Sequence, residues 1–373
     1  MASSKELIVI TGSSGRIAGA LIEHLAQRYE IVGFDDGEPP YPPQLAHVVK
    51  LDLESNDSIR TALDQVRNIY GQRIAAFLHL AAYYSFDGEP SPKYETVNVL
   101  GTERLLRGLQ DFQVERFIYS SSMLVHAAQL PGEPINEDSP LEPKWDYPKS
   151  KVAAEEKILR AHGKIPFTIL RIAGVYDDMC HLPALSQQIA RIYERKLISH
   201  VFPGDSTHGQ ASIHMDDLVT AITALIDKRH ELPTDQTLLL GEPETPSYAD
   251  LQYEIGRLIH GEEWATQEIP KLLAKTGAWL EQVALPKEDE PFIKPWMIEL
   301  ADDHYELDIH RAHDALNWEP WHRLIATLPN MIQALKEDPQ GWYQANKLDA
   351  PTDLLSPPLA PSGGAAPENR SRQ

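Results

Sequence analysis

Leu7-Ile8-Val9-Ile10-Thr11-Gly12-Ser13-Ser14-Gly15-Arg16-Ile17-Ala18-Gly19 joins an unbroken apolar run to an amphipathic one through a turn of glycine and serine. Glycine at 12 and 15 permits a tight turn and lets backbone N–H groups approach a bound anion, which the positive end of the following helix also attracts. Ala18 is small enough for the helix to pack closely on the strand. Because this loop follows a first strand and opens a helix, it is expected to be a dinucleotide site rather than an ordinary turn.

The same alternation continues outward. Apolar runs occur at Leu7–Ile10, Ile31–Phe34, His47–Leu51, Ala75–Leu80, Arg116–Tyr119 and Phe167–Leu170, with helical periodicity at Ile17–Arg28, Ser58–Tyr70, Tyr94–Leu109 and Ser150–His162. Strands without polar alternation, separated by helices, predict a parallel sheet covered on both faces, hence a Rossmann-type doubly wound α/β domain. Phe34-Asp35-Asp36 ends the second strand, 20 residues beyond Gly15. A carboxylate there accepts hydrogen bonds from adenosine ribose hydroxyls and repels a 2′-phosphate, so NAD is expected over NADP. Arg16, a cation in the loop, is the one feature that would tolerate the phosphate.

Composition bounds the rest. Fifty-five acids against 34 bases give a net charge of −21 in 373 residues, which opposes binding to nucleic acid or an anionic membrane. Cys180 is the only cysteine, leaving no internal disulfide and no cysteine-based zinc cluster. No apolar run approaches the ~18 residues of a membrane span, and the N-terminus lacks the layout of a signal peptide, so a cytoplasmic protein with a small-molecule substrate is expected.

Tyr147 precedes Lys151 by four residues in a segment, Lys144–Arg160, that reads as a helix, so both fall on one face. A free phenol titrates near ~10, and a neighbouring ammonium stabilises phenolate and draws that value down, making the pair a proton-transfer device.

Together these features resemble the extended short-chain dehydrogenases/reductases, the group of NAD-dependent epimerases, dehydratases and related dehydrogenases, from about residue 5 to about 345. The resemblance rests on Thr11 to Ala18, Asp52-Leu53, His79-Leu80-Ala81-Ala82, Asn98-Val99-Leu100-Gly101-Thr102, Ser120-Ser121-Ser122, Tyr147/Lys151, Leu170-Arg171 and His214-Met215-Asp216-Asp217, in that order. It implies that Ser122, 25 residues before Tyr147, donates a hydrogen bond to the substrate oxygen while Tyr147 exchanges the proton and Lys151 also holds the nicotinamide ribose. It further implies that Gly12, Ser14, Gly15, Arg16, Ile17, Asp35, Asp52, Leu53, Leu80, Ala81, Ala82, Asn98, Ser120 and Ile172 lie along the cofactor. Residues 1–174, with a later strand from about 205–240, are expected to bind NAD. Residues 175–345 are expected to form mainly a smaller C-terminal substrate lobe, and a homodimer through the helices flanking the serine and tyrosine strands is expected.

Departures from the family narrow the substrate. Met123-Leu124 stand where dehydratases carry an acidic pair, and Gln210 stands where sugar-nucleotide epimerases place a pyrophosphate-gripping arginine. Val125-His126-Ala127 replaces the usual Val-Tyr-Gly. His126, His181, His208 and His214 fall in segments expected to rim the pocket. His181 and His208, with Met123 and Gln210, are the candidates for substrate contact, and the histidine spacing suggests no metal site. Trp145 and Asp146 are also expected to reach the pocket. Beyond residue 174, helices are expected at Pro183–Ile198, Ile213–Ile226 and Tyr248–Ile259, a strand at Thr237–Leu240, and a terminal helix pair within Tyr305–Ala334. The tail from 350 to 373, with five prolines from Pro351 onward and no aromatic residue, cannot bury apolar surface and is expected to be disordered. The expected activity is hydride transfer between a secondary alcohol carbon and nicotinamide, with transient-oxidation epimerisation of a sugar or sugar nucleotide as the second reading and a non-catalytic dinucleotide sensor as the third.

Overall fold

A computed structural model describes residues 5–37, 45–85, 89–276 and 295–351. Seven parallel strands form the central sheet: β1 (Leu7–Thr11), β2 (Glu30–Asp35), β3 (His47–Lys50), β4 (Ala76–His79), β5 (Phe117–Ser122), β6 (Phe167–Ile172) and β7 (Asp235–Leu240). Their spatial order is 7-6-5-4-1-2-3. Ile8 stands between Ile31 on one side and Ala76 on the other, a register that aligns the carboxyl ends of β1, β2 and β4. The order reverses beside β1, and the crevice at that switch point is where such sheets bind ligands.

Alternation along the inner strands builds two cores. Ile8, Ile10, Leu78 and Leu170 face helices α1 (Arg16–Leu25) and α6 (Met215–Asp227). Leu7, Val9, Phe77 and Phe117 face α2 (Asn56–Tyr70), α3 (Leu100–Leu109) and α4 (Asp146–Ala161). This is the doubly wound Rossmann-type sheet that the apolar runs predict. A third core joins α5 (Pro183–Tyr193) and α7 (Tyr248–His260) to the helices Leu324–Glu337 and Pro339–Ala345, through Ile189, Ile255, Leu328 and Trp342.

Several element boundaries differ from the sequence expectation, each for a local reason. Tyr94–Leu109 is not one α-helix: Tyr94–Val99 is a π-helix that continues into α3, and its wider turn turns Asn98 inward. The α4 helix begins at Asp146 rather than Lys144 because Trp145 is extended (φ −139°, ψ 175°), so Pro148 falls in the first turn, where a missing N–H costs nothing. The expected helix at 183–198 ends at Tyr193, after which Arg195 turns the chain at φ +53°. Ser212–His214 is a strand paired with Gly174–Tyr176, and α6 starts only at Met215. Most of the interruption expected at 286–295, and the tail from 352 onward, lie outside the described residues. No helix among the described residues is long and apolar enough to cross a membrane.

Arg116, just before β5, is 1 % exposed and has no carboxylate partner among the described residues. Its guanidinium instead donates to the carbonyls of Arg229 (2.9 Å), Leu232 (3.2 Å), Pro233 (2.9 Å) and Phe167 (3.3 Å), knitting the α6–β7 connection to the sheet. Replacing it by methionine leaves buried carbonyls without donors. Arg116→Met is expected to cost about 3 kcal/mol in chemical denaturation while preserving the far-UV spectrum of the native state.

Candidate active site

The glycine loop is held open by its own backbone. Gly12 N–H donates to the Phe34 carbonyl (2.8 Å) and Gly15 N–H to the Gly12 carbonyl (3.0 Å). Gly12 has φ +69°, and a Cβ there would lie 2.9 Å from the Cα and N of Ala81, so both conformation and space demand glycine. Gly15 caps α1 without a side-chain hydrogen bond, and the first turn carries no acidic residue. Unsatisfied N–H groups and an uncompensated helix dipole therefore face the exposed Ser14-Gly15-Arg16 edge, which fits a pyrophosphate. Asp35 accepts from Ser14 N–H (2.8 Å) and Gly37 N–H (3.1 Å), which orients its carboxylate at the loop edge with acceptor capacity left for ribose hydroxyls. Arg16 does not wait for a 2′-phosphate: its guanidinium is bound to Asp177 at 2.6 Å.

The far wall of this cleft is equally built. Thr11 Oγ1 accepts the N–H groups of Leu80 and Ala81 (3.1 Å each), so its proton goes to His79 Nδ1 (2.7 Å). His79 Nε2–H then donates to Thr102 Oγ1 (2.9 Å), whose proton goes to the Asn98 carbonyl (2.6 Å). Burial, reinforced by the nearby Lys151 charge, lowers the His79 pKa to about 3, keeping this relay neutral. Ala82 is exposed beyond it, Leu53 is buried against Gly101, and the Asp52 side chain accepts from Glu54 N–H at 2.8 Å.

Asn98, expected along the cofactor, does something else. It is 2 % exposed, and its amide is spent on Tyr83 N–H (2.7 Å), the Tyr83 carbonyl (3.0 Å) and Ser150 Oγ (2.9 Å). Ser150 in turn donates to the Tyr147 carbonyl (2.7 Å), so Asn98 steadies the first turn of α4.

Tyr147 and Lys151 sit one turn apart on α4. Lys151 is 1 % exposed and donates to the Ser120 carbonyl at 2.7 Å, with its Nζ 5.5 Å from the Tyr147 ring centre. Burial lowers the Lys151 pKa to about 7, against the raising effect of Glu155. The same burial, with Tyr94 adding to it, raises Tyr147 above the usual phenol range. The sequence predicted the opposite direction for the tyrosine: here the desolvation of the phenolate outweighs the neighbouring ammonium. Ser122, 8 % exposed at the end of β5, accepts from Leu124 N–H (3.2 Å), and its own proton has no partner among the described residues. Ser120 Oγ donates to the His79 carbonyl (3.3 Å), and Ser121 Oγ to Glu155 (2.5 Å).

Ser122, Tyr147, Met123 and Ile172 line one cavity of about 930 Å³, together with His208 and Gln210. His208 Nδ1 is committed to the Asp302 carbonyl (2.5 Å). His181 is not in the cavity wall: at φ +51° its ring turns to Asp177 (2.8 Å), completing the cluster that ties Arg16 to the lobe. Nor does His126 rim the pocket. It is fully buried, accepts from Arg171 (3.1 Å) and donates to the Ser139 carbonyl (3.2 Å), and burial followed by the Arg171 charge lowers its pKa to about 4. Arg171 is paired with Glu155 at 2.7 Å beneath the serine strand. His214 caps α6 by accepting from Asp216 N–H (3.2 Å) and stacks on His322 at 3.8 Å. His214, Asp216 and His322 offer donor atoms within 4.8 Å of one another, a grouping the sequence spacing did not suggest. Their rings are tilted by only 16°, so the nitrogen lone pairs run side by side instead of converging, and we assign the group a capping role.

Three lining residues had no sequence signal. Tyr84 meets the Tyr147 ring edge-on at 4.6 Å, and Trp296 packs on Trp145 at 5.2 Å, which itself lies 5.5 Å from Tyr147. They form an aromatic collar around the phenol from three distant segments. Arg191, on the last turn of α5, is the third, and only its position in the folded lobe marks it.

A glycine loop at the switch point of a doubly wound sheet, facing a serine, a tyrosine and a buried lysine, defines a nicotinamide-dependent enzyme of the short-chain dehydrogenase/reductase type. The sequence model of the NAD dependent epimerase/dehydratase family matches residues 8–241, and the chain belongs to that family. It is 23 % identical over 352 residues to a UDP-glucose 4-epimerase of Vibrio cholerae, covering 91 % of this chain and 96 % of the relative. It is 30 % identical over 164 residues to a 3 beta-hydroxysteroid dehydrogenase/Delta 5→4-isomerase of Mycobacterium tuberculosis, covering 42 % and 43 % of the two chains. The UDP-glucuronic acid 4-epimerase of Bacillus cereus, solved with UDP-glucuronic acid and NAD, shares the fold with a TM-score of 0.65 at 19 % identity, covering 89 % of this chain and 99 % of that one.

The buried ammonium makes stability depend on pH. Unfolded, Lys151 titrates near 10.5; folded, at about 7. Between those values the unfolded chain holds the extra proton, so stability rises with pH across that window and the cost of burying the charge is fully present below it. Above pH 10 the raised Tyr147 acts in the opposite sense. The melting temperature of the cofactor-free protein is expected to climb from pH 7 to pH 10, and Lys151→Met is expected to flatten that climb, as read by thermal denaturation at matched ionic strength.

Proposed function

We propose that the protein is an NAD-dependent oxidoreductase that interconverts a secondary alcohol and its ketone, with Tyr147 as general acid/base, Lys151 as its electrostatic partner and cofactor anchor, and Ser122 as the hydrogen-bond donor to the reacting oxygen. The observation that carries this reading is the convergence of Ser122 and Tyr147 on one cavity wall with the Lys151 ammonium buried beneath the phenol. NAD bound at the glycine loop supplies the hydride acceptor or donor.

The side chains supply the rest. Ser122 has a free proton to donate to the substrate oxygen, which stabilises charge as it develops there. Tyr147, kept neutral by burial, holds its proton for a ketone oxygen in the reducing direction and takes one from an alcohol in the other. Lys151 has two N–H groups left after its bond to Ser120, enough to meet ribose hydroxyls and to offset phenolate charge. The aromatic collar of Tyr84, Trp145 and Trp296 excludes water from the phenol.

In this reading residues 1–174, with the β7 region, form the cofactor half, and 175–345 supply most of the substrate lobe. The cytoplasm is the proposed location. Two copies are proposed to join through α3 and α4, an arrangement supported by Leu159, 57 % exposed on α4, and tested by sedimentation at micromolar concentration. Sugar-nucleotide epimerisation is the second reading, favoured by the 91 % coverage of the Vibrio cholerae relative, and it uses the same three side chains with no net NADH.

Tyr147→Phe is expected to lower kcat by about 10²–10⁴-fold with NAD binding retained, and Ser122→Ala by about 10²-fold, followed by NADH absorbance with a panel of secondary alcohols. Full turnover by the phenylalanine variant would refute the assignment. Product epimer without net NADH would select the second reading.

A further inference from the structure

The cavity is large and mostly apolar, yet one charge in its wall has no acidic partner among the described residues. Leu182, Leu185, Val201, Phe202, Ile269 and Met297 set its character. The described cations that line it are Lys144 and Arg191. Lys144 is paired with Asp303 at 2.7 Å. Arg191 has no carboxylate partner among the described residues; the phenol of Tyr248, stacked on Phe202 at 4.1 Å, lines the same cavity. Burial lowers the pKa of the Arg191 guanidinium, the mark of a cation removed from water without an acid to receive it.

The neighbouring polar groups are already used. The Gln188 amide donates to Gln252 at 2.9 Å and is 4 % exposed, and His208 is committed to Asp302. Gln210 is neutral. A nucleotide sugar brings two phosphates, several hydroxyls and a polar base, each needing a partner once desolvated, and the described residues of this wall offer few uncommitted ones. A planar carboxylate needs one guanidinium fork, and Arg191 and Tyr248 both stand in the cavity wall.

We propose that the substrate is an apolar secondary alcohol or ketone bearing a single carboxylate, its body filling the cavity, its reacting oxygen at Ser122 and Tyr147 and its carboxylate on Arg191. This rests on the oxidoreductase reading above and names the substrate class within it. Arg191 is then the residue that sets specificity without taking part in the chemistry.

Trp145 and Trp296 line the cavity and report on its occupancy by fluorescence. The NAD-saturated full chain would be titrated with a 3-hydroxysteroid ending in a side-chain carboxylate, with the same ring system ending in a neutral alcohol, and with UDP-glucose. The carboxylate is expected to bind at least ~10-fold more tightly than the neutral steroid, and UDP-glucose more weakly than either. Arg191→Gln is expected to abolish the carboxylate preference while leaving the neutral steroid's affinity within about twofold, and Arg191→Lys to restore part of the preference. Tighter binding of UDP-glucose, no saturable binding of either steroid, or a preference that survives in Arg191→Gln overturns the proposal. Tyr147-dependent NADH formation from any secondary alcohol would leave the oxidoreductase reading standing in each of those cases; its absence across the whole alcohol panel would bring down that reading instead.

Discussion

Everything in this molecule follows from a sheet that is buried on both faces. The inner strands send alternate side chains into one of two apolar cores, Ile8 and Ile10 to one, Leu7 and Val9 to the other. Neither face is left for chemistry. Polar function is confined to the carboxyl ends of the strands, where backbone groups run out of partners and loops begin. Thr11, Asp35, His79 and Ser122 are all last residues of their strands, and all belong to the site.

That confinement creates an electrostatic problem which the fold solves differently at each point. Arg171 is buried with Glu155 as partner, and Arg116 is buried on carbonyl oxygens and the Thr168 hydroxyl. Lys151 is held between one carbonyl and two aromatic rings, Tyr119 at 4.8 Å and Tyr147 at 5.5 Å. Burial nevertheless brings its pKa down to about 7, with the Glu155 charge acting against that shift. A cofactor that brings hydroxyl acceptors and a substrate that brings a developing oxyanion both favour the charged lysine. The site thus stores, in a desolvated lysine and an unionised tyrosine, a preference for the occupied state.

The lobe adds discrimination to this machinery. Asp177 and His181 reach across to Arg16 on the glycine loop, so the lobe is anchored to the cofactor side by an ion pair at 2.6 Å. Opposite, Tyr84 and Trp145 close on Tyr147, and Trp296 packs on Trp145. Between these two anchors the cavity wall is mostly apolar, with Gln210 and Arg191 among its polar lining.

Short-range features were legible in the chain. The glycine loop, Asp35, the 25-residue step from Ser122 to Tyr147 and the apolar runs that became strands all depend on neighbours within one βα unit or on a fixed spacing along the chain. Backbone sterics and hydrophobic burial act on such patterns in the same way wherever they occur. What the spacing could not carry was the surroundings. It could not say that Asn98 would be consumed by Tyr83 and Ser150, that His181 would turn to Asp177 and His126 to Arg171, or that Arg191 would line the cavity without a carboxylate partner among the described residues. It also gave the wrong sign for Tyr147, because a lysine four residues away is local while desolvation is the summed effect of Tyr84, Trp145, Trp296 and others brought from across the sequence. The fold and the reacting groups are properties of sequence-local pattern, whereas protonation, exposure and substrate class are properties of the medium, and only tertiary packing creates the medium.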